Sequence, residues 1–335
     1  MAIVRQTLLL ACATAGLWIA PSPQAHADAF AQALLQIDNF RLLHSSGTPF
    51  SAEEFQLMDG SNSASAGAWL DGRNASSGRV DRNVRSWSSP DGSHQFIGLP
   101  ATPSVPAPDN DFSPLPAPFA VPGTFGYADY AFSGSAIDGL GGPAGVHAST
   151  RAVASLARPG NASAGADLGT STTFQFMLGA GDTISLAFDG TPYTQAYADA
   201  ANGDGSAAFA RVSWSVNILN LRTGELVFAY QPGELNSYGN VGRSDSVAGM
   251  SVYSPGTLSF WADTPYLDSS DSYQLTVYHS TVANALQRQV ALPEPDSLAL
   301  FGLALMALAA FTNRRGRASA ARRRQDAMAR DGQDS

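Results

Sequence analysis

The sequence contains no lysine, so all 19 of its basic residues are arginines. Seven of them follow Asn313, which leaves residues 28–292 with 11 arginines against 23 aspartates and glutamates. A surface with this acidic excess repels phosphate backbones. The charge balance therefore excludes nucleic acid from the partners that we expect.

Cysteine is almost as scarce, because Cys12 is the only one and lies in an apolar N-terminal run. A mature protein without it has no disulfide, no thiolate nucleophile and no cysteine-ligated metal. The sequence also lacks the H-E-x-x-H zinc motif, the G-x-S-x-G nucleophile elbow and a P-loop. It predicts no cofactor, no metal site and no catalytic residue.

Two acidic turns, at residues 109–111 and 202–205, carry the hard oxygen ligands that calcium prefers. Neither continues to a bidentate glutamate at the spacing of a twelve-residue calcium loop, and turn chemistry accounts for both. A carboxylate pair for glycoside hydrolysis stays open, since no spacing singles out two of the acidic residues.

Residues 1–27 have the three parts of a secretory signal peptide. One arginine precedes an apolar stretch at residues 7–20, and two prolines then break the helix. Ala25 and Ala27 form the small-x-small pattern that signal peptidase recognises. We therefore predict export, with signal peptidase cleaving after Ala27. A lipoprotein box that ends at Cys12 is the alternative.

A second apolar segment, residues 297–312, carries no charge and is followed by arginines. As a helix it would be about 24 Å long, slightly less than a typical hydrocarbon core. Arg314, Arg315 and Arg317 begin an arginine cluster, which keeps this end of the chain in the cytoplasm. We predict one short transmembrane helix, retained in the membrane by these arginines, and a disordered cytoplasmic tail at residues 325–335.

Directly before the apolar segment, Pro293, Glu294 and Pro295 form a Pro-Glu-Pro motif. Together with the apolar segment and the arginine cluster at 314–324, this motif resembles the PEP-CTERM sorting signal of Gram-negative bacteria, here residues 293–324. The resemblance implies that an exosortase-type enzyme is the processing partner. It also implies that the protein passes through the inner membrane to the cell surface or the extracellular matrix.

The body between these signals, residues 28–292, has the pattern of β-structure: runs rich in Val, Ile, Thr and aromatics alternate with Gly, Asn, Asp and Pro breaks. From Val212 to Ile218 an apolar side chain recurs at every second position, which predicts a half-buried strand over residues 208–221. A turn at residues 222–225 predicts a hairpin with the next strand. We predict an all-β fold, a single antiparallel β-sandwich of jelly-roll-like form. Other strands are expected at residues 172–178, 183–188, 225–230, 257–261 and 273–278, and the first strand from about Leu34.

Residues 99–123 contain eight prolines and interrupt this pattern. Proline lacks the amide hydrogen that a central strand or a helix needs, so the segment is a surface loop or an interdomain linker. Because residues 28–98 have few large apolar groups, we expect a loop within one domain. His279, which follows a predicted strand, is expected at the strand end or on the surface.

Four stretches of the body are similar to a group of exosortase-dependent surface proteins, and no activity comes with that resemblance: residues 33–43, 60–72, 178–182 and 272–284. We expect a non-enzymatic cell-surface or matrix protein, associated with exopolysaccharide through a hydrated acidic exterior. A secreted hydrolase is one alternative. A carbohydrate-binding sandwich is the other, with sugar rings stacking on exposed aromatics such as Trp69, Trp87, Tyr193, Tyr197 and Tyr238.

Overall fold

The structure is a computed structural model that describes residues 29–81, 92–99, 106–115, 123–140, 142–199 and 205–288. In this part of the chain the regular structure is almost entirely β, with two single 3₁₀ turns at Ala52–Glu54 and Gly233–Leu235. The strands are β1 (Ala29–His44), β2 (Phe55–Leu70), β3 (Arg73–Asp81), β4 (Gly92–Gly98), β5 (Phe125–Ser133), β6 (Val146–Leu156), β7 (Gly160–Leu178), β8 (Asp182–Ala198), β9 (Ser206–Asn220), β10 (Leu226–Tyr230), β11 (Val241–Ser244), β12 (Gly249–Tyr253), β13 (Leu258–Leu267) and β14 (Tyr273–Gln287).

These strands form two seven-stranded antiparallel sheets. The first sheet has the order β4-β5-β6-β1-β8, and β12 and β13 both pair with the outer edge of β8. The second sheet has the order β3-β2-β7-β14-β9, and β10 and β11 both pair with β9. The two sheets face each other across a shared core. The prediction of an all-β antiparallel sandwich is confirmed.

Alternate residues of β9 show how the sequence pattern becomes a core. Val212, Trp214, Val216 and Ile218 are at most 1% exposed, whereas the residues between them are half-buried. Burying a large apolar side chain contributes about 1.5–3 kcal/mol relative to leaving it exposed. The predicted period-two strand over residues 208–221 is therefore confirmed.

Aromatic rings fill one part of the core. The ring of Trp214 lies 4.2 Å from that of Phe188, which stacks on Phe260 at 4.9 Å. Phe40 of β1 contacts the rings of both Phe188 and Trp214, at 5.9 and 6.1 Å. Tilted and offset ring pairs of this kind add to the free energy gained by burial. The cluster thus joins β1, β8 and β13 of the first sheet to β9 of the second.

Alanines fill another part of the core, where the two sheets come closer together. Cα atoms of β1 and β14 lie within 8 Å of each other, which is less than the spacing of about 10 Å usual for stacked sheets. A methyl group is the largest side chain that such a gap accepts without strain. The inward-facing alanines include Ala29, Ala31, Ala33, Ala152 and Ala154 of the first sheet and Ala64, Ala66, Ala164, Ala166, Ala210, Ala283 and Ala285 of the second.

A β-bulge interrupts β1 after Ile37. Ile37 pairs with Ala148 and Phe40 with Val146, so one strand gains an extra residue there, and Asn39 takes a left-handed φ of 55°. Both Ile37 and Phe40 face the core although they are three positions apart. This shift hides the period-two alternation of β1 in the sequence. The predicted start of the first strand near Leu34 is wrong, since β1 begins at Ala29.

The described part of the proline-rich segment, residues 106–115, lies against the outer face of the first sheet. The side-chain amide of Gln32 donates to the carbonyl oxygen of Leu115 at 3.1 Å and accepts from its N–H at 3.0 Å. Tyr127 and Val153 are fully buried beneath the segment. The strands before and after the segment belong to the same two sheets. The domain boundaries at 28 and 292 stay predictions.

We expect Gly126→Ala to destabilise the protein by about 1–3 kcal/mol, as overpacking does. A Cβ on Gly126 of β5 would lie 2.7 Å from the carbonyl oxygen of Ser163 in β7 and 3.0 Å from that of Trp69 in β2. Urea unfolding of the exported protein measures the effect. Gly78→Ala is the matched control, because its Cβ would meet nothing closer than 3.7 Å. Equal stability of the two variants would contradict the close approach of the sheets.

Candidate functional site

The residues assigned to sorting and cleavage lie outside the described part of the chain, as does the apolar segment 297–312. Among the residues that the structure does describe, no helix has the length and apolar character needed to cross a membrane. The candidate sites that the structure can locate are therefore on the body. The undescribed sorting, retention and cleavage residues are Pro293, Glu294, Pro295, Arg314, Arg315, Arg317, Ala25 and Ala27.

His279 is buried in the middle of β14, so the expectation of a strand-end or surface residue is wrong. Its side chain faces the core beside a cavity of about 80 Å³ that Phe40, Trp214 and Leu275 also line. Nε2 of His279 lies 2.9 Å from the hydroxyl of Thr150. Burial lowers the pKa of His279 to about 3, which keeps the imidazole neutral at physiological pH.

His44 joins three elements at one end of the sandwich. Its Nδ1 lies 2.6 Å from Asp182 Oδ2 and its Nε2 lies 3.0 Å from Glu54 Oε1. Its ring packs 3.8 Å from that of Phe50. Burial lowers the pKa of His44, but the hydrogen bond to Asp182 and the charge of Glu54 outweigh it, so the pKa is raised overall. The cluster ties the end of β1 to the start of β8.

The acidic turn at residues 109–111 uses its side chains within the protein. Asp109 Oδ1 accepts a hydrogen bond from the backbone N–H of His94 at 3.1 Å, and Asp111 Oδ1 accepts one from Ser113 at 2.9 Å. The described residues hold no group of three or more metal-ligating side chains. The other acidic turn, residues 202–205, is described only at Gly205.

Exposed aromatic side chains mark one stretch of the outer face of the first sheet, along β13. Phe260 points inward to stack on Phe188, so its neighbour Trp261 points outward and is 51% exposed. Asp263 is exposed on the same face, and Tyr266, which pairs with Thr183, is 69% exposed. Trp261, Asp263 and Tyr266 form what we call the β13 stripe.

Beside the β13 stripe, strand register places a small side chain between two large ones. Ala187 of β8 pairs with Trp261 on one side and with Arg41 of β1 on the other. In the next row of paired residues on this face, toward β12, Asp189 of β8 pairs with Ser259 on one side and with Asp38 on the other. Ala187 has the smallest side chain of its row and is only 7% exposed, because its larger neighbours cover most of it. We call this row, with the residues around it, the Ala187 hollow.

The sequence analysis named other aromatics than those of the β13 stripe. Trp69 and Tyr238 are exposed, Tyr193 and Tyr197 are half-buried, and Trp87 lies outside the described residues. Trp261 stood inside a predicted strand, but Phe260 and Trp261 are adjacent aromatics. The sequence therefore did not show which of the two faces solvent.

The comparisons with known proteins bear on the C-terminal end of the chain. Residues 291–315 match the family model of the PEP-CTERM protein-sorting motif. The chain therefore carries a PEP-CTERM protein-sorting motif. The match contains Glu294 and the first two arginines of the cluster, and a PEP-CTERM motif implies processing by exosortase and sorting to the cell surface through the membrane. The chain matches no curated protein and no solved structure.

We expect His279→Gln to flatten the dependence of stability on pH. In the unfolded chain the imidazole binds a proton below about pH 6.5, whereas in the folded chain it does so only near pH 3. Stability of the wild type therefore falls as pH drops through this window. Urea unfolding between about pH 7 and pH 4 measures the slope. His147→Gln, at an exposed position, is the control for the loss of an imidazole as such. A slope in His279→Gln equal to that of the wild type would refute the assignment.

Proposed function

We propose that this PEP-CTERM protein is a non-enzymatic protein of the cell surface or extracellular matrix that associates with exopolysaccharide. The sorting motif at residues 291–315 is the observation that carries the proposal. In the proposed sequence of events, signal peptidase cleaves after Ala27 and the C-terminal segment holds the protein in the inner membrane. Exosortase then processes it near Glu294 and passes it to the surface.

The described histidines support a non-enzymatic body. His44, His94, His147 and His279 lie on four different strands, and each has a different partner. General acid–base chemistry needs such groups to converge on one substrate. In this body they instead join neighbouring elements of the sandwich.

The charge and polarity of the body support an association with a hydrated polysaccharide. Residues 28–292 carry twice as many acidic as basic residues, and the outer face of the second sheet is rich in Ser, Thr, Asn and Gln. Such a surface stays solvated and does not self-associate. Hydroxyl and amide groups also exchange hydrogen bonds with sugar hydroxyls at little cost.

The second candidate is a carbohydrate-binding sandwich. The β13 stripe favours it, because Trp261 and Tyr266 are two exposed aromatics on the same face of one strand. Amphipathic rings in such a row offer apolar area to the faces of sugar rings. The two candidates agree on the partner and differ in whether one defined site supplies the affinity.

We expect Glu294→Ala to leave export intact and to block C-terminal processing. The reason is in the sequence: proline fixes φ and favours extended backbone at the residue before it, and an extended peptide around Glu294 is a form that a processing enzyme can bind. The variant should stay in the inner membrane with about 40 additional residues, or about 4 kDa at the mean residue mass of the chain. Fractionation and intact mass in an exosortase-positive host measure this.

Asp296→Ala is the matched control for that experiment, since it removes the same charge two positions away and outside the Pro-Glu-Pro motif. It should mature like the wild type. If wild type and Glu294→Ala reach the same mass and location, the C-terminal segment is only an anchor and the proposed processing is wrong.

A further inference from the structure

We infer that the Ala187 hollow is a binding site for a neutral polysaccharide, with one sugar ring stacked on Trp261. The inference rests on the proposed association with exopolysaccharide and names its site and the class of sugar. It draws on three features of the outer face of the first sheet: a fixed aromatic ring, a small side chain between two large ones and a rim of hydrogen-bonding groups.

The indole ring of Trp261 is held in place although it is half-exposed. Its N–H donates to Asp263 Oδ1 at 2.8 Å, and the hydroxyl of Ser185 donates to the same oxygen at 2.6 Å. Trp261 and Asp263 are two positions apart on one strand, so this bond aligns the ring with β13. A platform ordered before binding loses little conformational entropy when a ligand arrives.

Strand register sets the distance between the two large side chains of the hollow. Trp261 and Arg41 are two strands apart, which sets their Cα atoms about 10 Å from each other. Between them Ala187 contributes only a methyl group. Because Ala187 is largely covered, a sugar ring would lie on top of this row, with its apolar face against the exposed part of the indole and its edge toward Arg41.

The rim supplies both donors and acceptors to sugar hydroxyls. Arg41 is half-buried, and its guanidinium, of which Nε itself is buried, gives the rim its positive charge. Asp189 accepts a hydrogen bond from Ser259 at 2.6 Å, and Asp38 Oδ1 lies 2.8 Å from Nδ1 of His147. Each carboxylate keeps further lone pairs free for hydroxyl donors. Charge-assisted hydrogen bonds of this kind are stronger than neutral ones.

The charges around the hollow select against acidic sugars. Asp38, Asp189 and Asp263 face it, and Arg41 is the one arginine of the two rows. A uronate or other acidic sugar would meet a net negative rim, in a body that is acidic overall. The site therefore fits neutral sugars.

Tyr266 extends the platform along β13. Its partner Thr183 lies four positions from Ala187 on β8, so the two aromatics are about 13 Å apart along the strand. The tyrosine ring lies against Gly181, where a Cβ would come within 2.2 Å of the phenol oxygen. A second sugar unit of the same polysaccharide can thus stack on Tyr266.

Affinity electrophoresis of the mature exported protein tests the site. The probes are galactomannan and dextran, which are neutral, alginate, which is acidic, and exopolysaccharide extracted from the producing strain. We expect a neutral probe to retard the wild type and Trp261→Ala to raise the Kd about tenfold or more, as truncation of a binding hot spot does. Arg41→Gln should raise the Kd as well. Trp69→Ala is the matched control, because Trp69 is similarly exposed but lies in the second sheet. The Kd of this variant should stay near that of the wild type.

The other outcomes separate the site from the proposed function. If the wild type binds but Trp261→Ala and Arg41→Gln bind equally well, the site is wrong and the association with polysaccharide stands. If only alginate retards the protein, the neutral class is wrong. If none of the four probes retards the wild type, both the site and the proposed association fail.

Discussion

The close approach of the two sheets through alanine and glycine is the constraint on which the rest of this structure depends. Ala33 and Ala283 lie in the shared core, and where Gly126 faces the carbonyl of Ser163 the sheets leave no room for a larger side chain. A close-packed interior fixes strand positions, because any shift creates clashes or voids. The aromatic cluster around Trp214 then fills the part of the core where the sheets are wider apart. Strand register on the outer faces follows from this packing.

That fixed register is what assembles the Ala187 hollow from three strands. Arg41 faces outward only because the bulge at Asn39 resets the alternation of β1, so that Phe40 and Leu42 point to the core. Without the extra residue, Arg41 would point inward and Phe40 would face solvent. The bulge thus gives the rim of the hollow its donor, and bulges commonly re-aim side chains in this way.

The sequence predicted those parts of the molecule that follow simple periods or motifs. The strand around Trp214 and the sorting motif at 291–315 are of this kind, since each rests on local spacing. His279 was misplaced because the inward positions after it are threonine and alanine, which do not look like a core, and the strand runs on to Gln287. The Ala187 hollow was not predictable, because it depends on the pairing of Ala187 with Arg41 and Trp261, which are distant in the sequence.

Solution NMR of the mature protein tests the central claim most directly, because each tryptophan gives one indole N–H resonance. Titration with a neutral oligosaccharide should shift the resonance of Trp261, whose N–H bonds Asp263 at the edge of the hollow. The resonance of Trp69 on the second sheet should stay in place. A shift of Trp69 with an unchanged Trp261 would contradict the account.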